Sequence, residues 1–323
     1  MLIVDAVSPL AGDPSQIEYY RKGKASLVAP TVGSTESAAT VMQNIGRWIY
    51  DISRNDQLRL VRTSQDVQDA YDSGALGVYF HIQGTDPCER NIDILAAFKA
   101  AGVGVVQLTY NVKNHVGDGA TERTDCGLSQ FGMDLIDRCN EVGIIVDCSH
   151  TGVQTTLEAI EHSSKPVVFS HANPRAVMGS KRNINDRQIK AAAATGGLVG
   201  LNAFPCFVSN NPKSSMDEFL LHLDYLVELV GMDHVGLGLD YWIGCSPFSS
   251  ETQANAHYEE MVKKGVWDTD VYWAPPFYFP EGIETPEGLP NLADAIRARG
   301  YVETDVEKIM GRNWLRVFQD VWG

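Results

Sequence analysis

The chain has 323 residues, of which 44% are hydrophobic and 21% are charged, and its formal net charge is −15. This length fits two ordinary domains or one large barrel. The negative charge would repel the phosphates of nucleic acid and an anionic lipid surface, so neither is expected as a partner. No uninterrupted apolar run reaches about 18 residues, which argues against a transmembrane helix.

The compartment is predicted from the N-terminus and the cysteines. The opening sequence MLIVDAVSPLAGD has neither the basic start nor the long apolar stretch of a secretory signal. The six cysteines are scattered along the chain, and none belongs to a CxxC pair. This pattern predicts reduced thiols in a cytoplasmic protein.

Short runs rich in β-branched residues alternate with amphipathic stretches along the chain. The predicted strands cover residues 2–5, 25–30, 76–83, 103–110, 143–149, 166–170, 197–202 and 235–240. The predicted helices cover residues 91–101, 130–142, 155–162, 186–195 and 215–230, several of them followed by glycine. Eight such units favour a (β/α)8 TIM-type barrel. An open doubly wound sheet is the alternative, although no GxGxxG turn follows an early strand.

A proline-rich and aromatic segment at residues 242–290 interrupts this alternation. A long insertion after the last strand would overhang the barrel mouth, where it would form a lid or a dimer contact; a plain surface loop is the alternative. Two terminal helices are predicted at residues 291–298 and 303–322. No linker divides the chain, so residues 1–323 are interpreted as a single barrel domain.

Many of the predicted strands end in a polar residue. These residues are Asp5, Gln83, Tyr110, His150, His171, Asn202 and Asp240. In a parallel barrel the strand ends converge on one face, which is where the active sites of this architecture lie. Buried polar side chains cost free energy unless they are paired or bind a ligand, so a functional site is expected there.

Two of these residues are histidines in similar settings, VDCSHTG for His150 and VFSHANP for His171. Neutral imidazoles on neighbouring strands suit a divalent transition metal, whereas a hydrogen-bonded structural role is the alternative for each. Asp240 adds a carboxylate, either as a ligand, as a base for a water molecule, or as a structural loop anchor. Arg182, with Asn183 beside it, could clamp a substrate carboxylate or simply lie at the surface.

With these residues the chain resembles the membrane dipeptidase (renal dipeptidase-like) family of zinc hydrolases. The segments that carry the resemblance are QLTYNVKNHVGDG, GLSQFGMDLIDRCNEVGIIVDCSHTG, PVVFSHANPRAV, KRNINDRQIKAAAATGGLVGLN, HVGLGLDYWIG and VEKIMGRNWLRVF. The resemblance implies a (β/α)8 barrel with two bridged zinc ions, a homodimer, and hydrolysis of dipeptides, often with a D-residue at the C-terminal position.

The resemblance also implies a role for each matching residue. His150 and His171 match the two ligands of the second zinc, and Asp240 matches the acid that acts on the attacking water or the substrate amine. Arg182, with Asn183, matches the clamp for the substrate carboxylate. Tyr110 stands where many relatives have a histidine that stabilises the oxyanion, and a phenol can also donate a hydrogen bond there.

Three positions depart from the family pattern. The first strand of the family ends in His-x-Asp, but Val7 and Pro9 occupy those places, and neither can bind a metal. Gln83 replaces the bridging glutamate, and a neutral amide is a poor bridge between two cations. We therefore expect the first zinc site to be absent and one ion, zinc or another divalent metal, to bind His150 and His171, with Gln83, Asp240 or His81 as a further ligand. A protein without any metal is the alternative.

The leading hypothesis is a metal-dependent hydrolase that cleaves a peptide or amide bond in a small carboxylated substrate. In it, Asp240 moves protons, Tyr110 stabilises the oxyanion, and Arg182 holds the carboxylate. A second hypothesis is a barrel that has lost catalysis and keeps a binding or regulatory role. A third is a metal-independent lyase or hydrolase that uses Asp240 and Tyr110.

Overall fold

The computed structural model describes all 323 residues and is built on parallel strands. The strands are β1 Val4–Ser8, β2 Leu27–Gly33, β3 Leu58–Leu60, β4 Leu76–Val78, β5 Phe80–Ile82, β6 Val103–Gln107, β7 Ile145–Asp147, β8 Val167–Val168, β9 Val199–Leu201 and β10 Val235–Leu237. Every pair of neighbouring strands is parallel. Parallel strands need helical crossovers, which the intervening segments supply.

Backbone hydrogen bonds between neighbouring strands close the sheet into a ring. Strand β1 pairs with β2, which pairs with β4 and β5, and the order then runs through β6 and β7 to β8. A bridge between Phe169 and Val199 continues it to β9, which pairs with β10. The amide of Asp240 donates to the carbonyl oxygen of Val7 at 3.3 Å and so joins the last strand to the first.

This ring confirms the predicted barrel class. β4 and β5 are two segments of one predicted strand, separated at Tyr79, so the eight predicted strands correspond to the eight positions around the ring. The short strand β3 was not predicted; it pairs only with β4, outside the ring.

Helices pack around the strands. They are α1 Ile17–Lys22, α2 Ala38–Ser53, α3 Ser64–Ser73, α4 Ile94–Ala101, α5 Gln130–Val142, α6 Val153–His162, α7 Asp186–Ala194, α8 Pro205–Val208, α9 Met216–Val230, α10 Glu251–Lys263, α11 Leu289–Ala298, α12 Glu303–Glu307 and α13 Asn313–Trp322. Gly102, Gly143 and Gly231 follow α4, α5 and α9 with positive φ angles, as their places in the sequence indicate.

Several helices were not predicted from the sequence. Helix α2 begins at the cap Ser37, whose hydroxyl accepts from the amide of Thr40, and buries Val41, Ile45 and Trp48 along one face. Helix α3 and the insertion helix α10 were also missed. The last predicted helix is interrupted by a π-helical turn at Lys308–Arg312.

Helix α13 packs on the barrel through two tryptophans. The indole of Trp314 donates to the carbonyl oxygen of Leu237, and that of Trp322 donates to the carbonyl oxygen of Gly104. A Cβ atom at Gly104 would lie 2.4 Å from the Trp322 ring, so this close approach requires glycine. None of the helices is both long and apolar enough to cross a lipid bilayer.

Candidate active site

A cavity of about 210 Å³ lies where the barrel strands end. Four of the predicted strand-end residues line it: Gln83, Tyr110, His150 and Asp240. Of the other three, His171 and Asn202 contact residues of this group, and Asp5 is buried in the seam between the first and last strands. The convergence expected from the strand ends is therefore present for most of these residues.

The insertion contributes an aromatic wall to the same cavity. Trp242, Met261, Val266, Trp267 and Tyr272 of residues 242–290 line it, together with Phe204 and Phe207. The rings of Trp267 and Tyr272 stack with centroids 4.4 Å apart. Thr31, Ser34, Thr35 and Glu36 line it as well, so the cavity combines apolar and polar surface.

His150 and His171 face each other with their Nε2 atoms 2.8 Å apart. Both rings are buried, and burial together with the positive charge of Arg182 lowers the pKa of each histidine well below its ordinary value. Both imidazoles are therefore neutral, which is the form that binds metal ions.

The proton of His171 is placed by Ser170 and Asp147. The Ser170 hydroxyl donates to Oδ2 of Asp147, so its oxygen must accept the hydrogen bond from Nδ1 of His171, 2.7 Å away. Burial alone would raise the pKa of Asp147, but His81, whose Nε2 lies 3.2 Å from Oδ2 of Asp147, and the Ser170 hydroxyl lower it well below its usual value. Asp147 is therefore an anion that only accepts, and Nε2 of His171 carries a lone pair.

The proton of His150 is placed by Asn111. The side-chain amide nitrogen of Asn111 donates to the carbonyl oxygen of Val266, which leaves Oδ1 to accept from Nδ1 of His150 at 2.7 Å. Nε2 of His150 therefore also carries a lone pair. Asn111 and His150 both adopt left-handed backbone conformations, with φ angles of 62° and 59°. Non-glycine residues in this conformation cluster at functional sites.

Two lone pairs that face each other at this distance repel unless a cation lies between or beside them. The histidine pair therefore fits one divalent transition metal ion, for which imidazole nitrogen is a favourable donor. No group of three or more His, Cys, Asp or Glu side chains surrounds such a position. Water or substrate would have to complete the coordination.

The residues do not fit a second ion. Val7 is fully buried, and its carbonyl oxygen accepts from the Asp240 amide. Pro9 lines the cavity but has no donor side chain. The Gln83 amide donates to Thr31 Oγ1 at 2.9 Å, and no hydrogen bond joins Gln83 to either histidine. Gln83 as a ligand thus stays a prediction.

Asp240 has the properties of a proton-transfer group. It is 9% exposed, has a φ angle of 61°, and accepts a 3.4 Å hydrogen bond from the side-chain amide of Asn202. Burial raises its pKa to about 7, although the Arg182 charge and the Asn202 contact oppose this shift. A carboxyl group with a pKa near neutrality can accept and return a proton at physiological pH.

Asp5 does not line the cavity. Its Oδ1 accepts from the Leu239 amide at 2.8 Å, while Oδ2 has no hydrogen-bond partner. Burial raises its pKa to about 7, and the nearby charge of Asp240 adds to this effect. Asp5 therefore belongs to the barrel seam.

Arg182 is buried next to the site. One terminal nitrogen donates to the carbonyl oxygen of His171 at 2.9 Å, whereas Nε and the other terminal nitrogen have no partner. Arg182 does not itself line the cavity, but Phe207 and Tyr272 do. Burying a guanidinium with two unpartnered donors costs free energy, and binding of an anion would offset that cost.

Asn183 is not brought to the cavity. Its amide donates to the carbonyl oxygens of Met178 and Phe207, so it holds the backbone of neighbouring segments. Tyr110, by contrast, lines the cavity and stacks on the His150 ring with centroids 4.3 Å apart. Its hydroxyl accepts from the Trp267 indole, and burial raises its pKa to about 12, so it keeps its proton.

Two residues that hold the histidine pair, Asn111 and Asp147, were not predicted from the sequence. Asn111 follows Tyr110 directly, and Asp147 lies two residues before Ser149 in the VDCSH segment, so proximity to predicted residues was the available signal. His81 is fully buried, with Nε2 3.2 Å from Oδ2 of Asp147 and its ring 6.3 Å from that of His171. It thus lies near the histidine pair, and its expected role as a further metal ligand stays a prediction.

This site and the parallel barrel beneath it define the class of (β/α)8-barrel hydrolases that depend on a metal ion. An amidohydrolase from Pseudomonas aeruginosa superposes with a TM-score of 0.87 and 31% identity, and the alignment covers 100% of this chain and 97% of that one. The fold and the class therefore agree with a solved structure of related sequence.

Sequence comparisons identify the family. The family model for membrane dipeptidase, peptidase family M19, matches residues 27–272, and the chain belongs to this family. An uncharacterized protein in the pqqA 5′ region of Klebsiella pneumoniae is 29% identical over 82% of this chain and 90% of its own length. Dipeptidase tcpJ of Claviceps purpurea is 26% identical over 83% of this chain, which spans only 56% of that protein. Membership in a metallopeptidase family implies a metal cofactor.

Proposed function

We propose that this protein hydrolyses a peptide or amide bond in a small carboxylated substrate with the help of one zinc ion. The observation that carries the proposal is the pair of Nε2 lone pairs on His150 and His171, 2.8 Å apart, beside a cavity that contains Asp240. The two histidines would hold the ion, which supplies Lewis-acid polarisation of the scissile carbonyl when it is bound.

The proton steps are assigned to Asp240. Its carboxylate accepts a proton from the attacking water as the oxygen bonds to the carbonyl carbon, and it returns the proton to the leaving amine nitrogen when the C–N bond breaks. The Tyr110 hydroxyl, which keeps its proton, donates to the oxyanion of the tetrahedral intermediate. Its stacking on His150 fixes the position of the phenol.

Substrate binding is assigned to Arg182 and to the aromatic wall. The two unpartnered guanidinium nitrogens of Arg182 would bind a carboxylate in a bidentate manner. Because Phe207 and Tyr272 line the cavity and Arg182 does not, these rings must shift for the carboxylate to reach it. The aromatic wall suits a substrate with an apolar side chain.

Turnover of a panel of dipeptides and N-acyl amino acids, with added Zn²⁺ or Mn²⁺, tests this function. We expect hydrolysis of at least one member, loss of turnover in Asp240→Asn, and loss of both turnover and bound metal in His150→Ala. Ligand-induced thermal stabilisation without any turnover would instead favour a binding protein. Unchanged activity in His150→Ala would refute the metal mechanism.

We also propose a cytoplasmic homodimer. All six cysteines are free, which is typical of a reducing compartment. The homodimer follows from the family resemblance, and light scattering coupled to size-exclusion chromatography would test it.

A further inference from the structure

Asn111 connects the histidine pair to the insertion at residues 242–290. Its Oδ1 lies 2.7 Å from Nδ1 of His150, and its amide nitrogen donates to the carbonyl oxygen of Val266 and to the hydroxyl of Tyr272, each at 2.9 Å. Both N–H groups and the oxygen of this amide are thus hydrogen-bonded, and Asn111 is fully buried. Asparagine also tolerates the left-handed conformation found here better than most residues do.

The insertion determines which way this amide points. An amide that turned over would place its oxygen against the Val266 carbonyl oxygen and its nitrogen against His150. The Val266 acceptor therefore keeps Oδ1 toward His150, which in turn keeps the His150 proton on Nδ1 and the lone pair on Nε2. A second contact supports the same ring, because Trp267 donates to Tyr110, which stacks on His150.

We infer that Asn111 is a positioning residue that couples the docking of residues 242–290 to the metal-binding form of His150. This inference rests on the proposed metal site. If the docked insertion favours the ion-binding tautomer, the bound ion must favour the docked insertion to the same extent, because coupling between two binding equilibria is reciprocal. Asn111 would thus link metal occupancy to the aromatic wall that receives the substrate.

The first measurement is Zn²⁺ affinity, determined by competition with a chromogenic chelator in the absence of substrate. Asn111→Gly removes the side chain without straining the left-handed backbone, and we expect it to bind Zn²⁺ about 10- to 100-fold more weakly than the wild type. Tyr272→Phe should show a smaller loss, since the Val266 carbonyl still holds the amide. Asn111→Asp keeps an acceptor for His150 and should retain more affinity than Asn111→Gly.

Tyr258→Phe is the matched control. The Tyr258 hydroxyl donates to the backbone carbonyl oxygen of Tyr272 at 3.0 Å, so this variant also removes one hydroxyl hydrogen bond within the insertion. The Tyr258 hydroxyl makes no hydrogen bond with Asn111, and its loss should leave Zn²⁺ affinity unchanged. Equal affinity in the wild type and all the variants would overturn the coupling.

The second measurement is amide hydrogen exchange of residues 266–272 with and without Zn²⁺. We expect Zn²⁺ to slow exchange there in the wild type but not in Asn111→Gly. Exchange that Zn²⁺ leaves unchanged in a wild type that binds the ion would refute the coupling and leave the proposed function standing. A wild type that binds no Zn²⁺ would refute the proposed metal mechanism and the coupling with it.

Discussion

The guanidinium carbon of Arg182 lies 5.4 Å from the centre of the Phe207 ring, which lines the cavity. The ring face attracts the cation and offsets part of the cost of its burial. It does not satisfy the two N–H donor groups that have no hydrogen-bond partner, so these donors remain available to an anion.

Replacing Arg182 with Lys should weaken binding of carboxylated substrates. A lysine cannot form the bidentate pair, and the loss of one hydrogen bond to a charged group, about 1.5–3 kcal/mol, corresponds to a rise in KM of roughly 10- to 100-fold. A substrate whose carboxylate is amidated tests whether the effect depends on the carboxylate. The KM for this substrate should be nearly the same in the wild type and in Arg182→Lys. An equal loss on both substrates would show that Arg182 has only a structural role.

The pH dependence of kcat/KM should follow Asp240. Because the carboxylate form accepts the proton, activity should rise with pH through the pKa, about 7 in the ion-free protein. A bound cation would lower the pKa of Asp240 and so move the rise in activity toward lower pH, since positive charge favours the carboxylate. Initial rates from pH 5 to 9 check this expectation, and a flat profile below pH 7 with retained activity in Asp240→Asn would contradict it.

Replacing Tyr110 with Phe should lower kcat with little change in KM. Removal of one oxyanion donor costs about 100- to 1,000-fold in kcat in other enzymes. The phenyl ring can still stack on His150, so the Zn²⁺ affinity of Tyr110→Phe should stay near that of the wild type. Steady-state kinetics together with chelator competition check both parts; a rise in KM alone would assign Tyr110 to substrate binding.

The stability of the ion-free protein should depend on Asp5. Burial raises its folded-state pKa from 3.8 to about 7, so its contribution to stability is fully present below pH 4 and is lost as pH rises toward 7. The loss is on the order of a few kcal/mol. Asp5→Asn should make the free energy of unfolding less dependent on pH between 4 and 8, as measured by urea denaturation.

Asp69→Asn is the control for this measurement, because Asp69 is exposed on α3. It should leave the pH dependence of stability as in the wild type. If Asp5→Asn and Asp69→Asn show the same profile, the buried seam carboxylate does not cause the effect.

Local sequence patterns were sufficient to predict the barrel and four of the side chains that line its mouth, Gln83, Tyr110, His150 and Asp240. The runs before His150 and His171 alternate with helical stretches, and strand ends of a parallel barrel meet at one face whatever the details of packing. Helix α2 was not predicted, although the capping residue Ser37 and the helical spacing of Val41, Ile45 and Trp48 indicate it. Asn183 was expected at the substrate because it adjoins Arg182, yet neighbouring side chains point in different directions.

The sequence alone therefore determined the fold class and a set of candidate residues, because hydrophobic periodicity and strand-end chemistry are local properties. Only the tertiary structure decided which nitrogen of each histidine carries the proton, and that Arg182 lies behind the cavity wall. These features depend on contacts between distant parts of the chain, such as the one between Asn111 and Tyr272, 161 residues apart. A hydrogen bond over such a separation leaves no periodic pattern in the sequence. Only the folded barrel brings Asn111 and Tyr272 together.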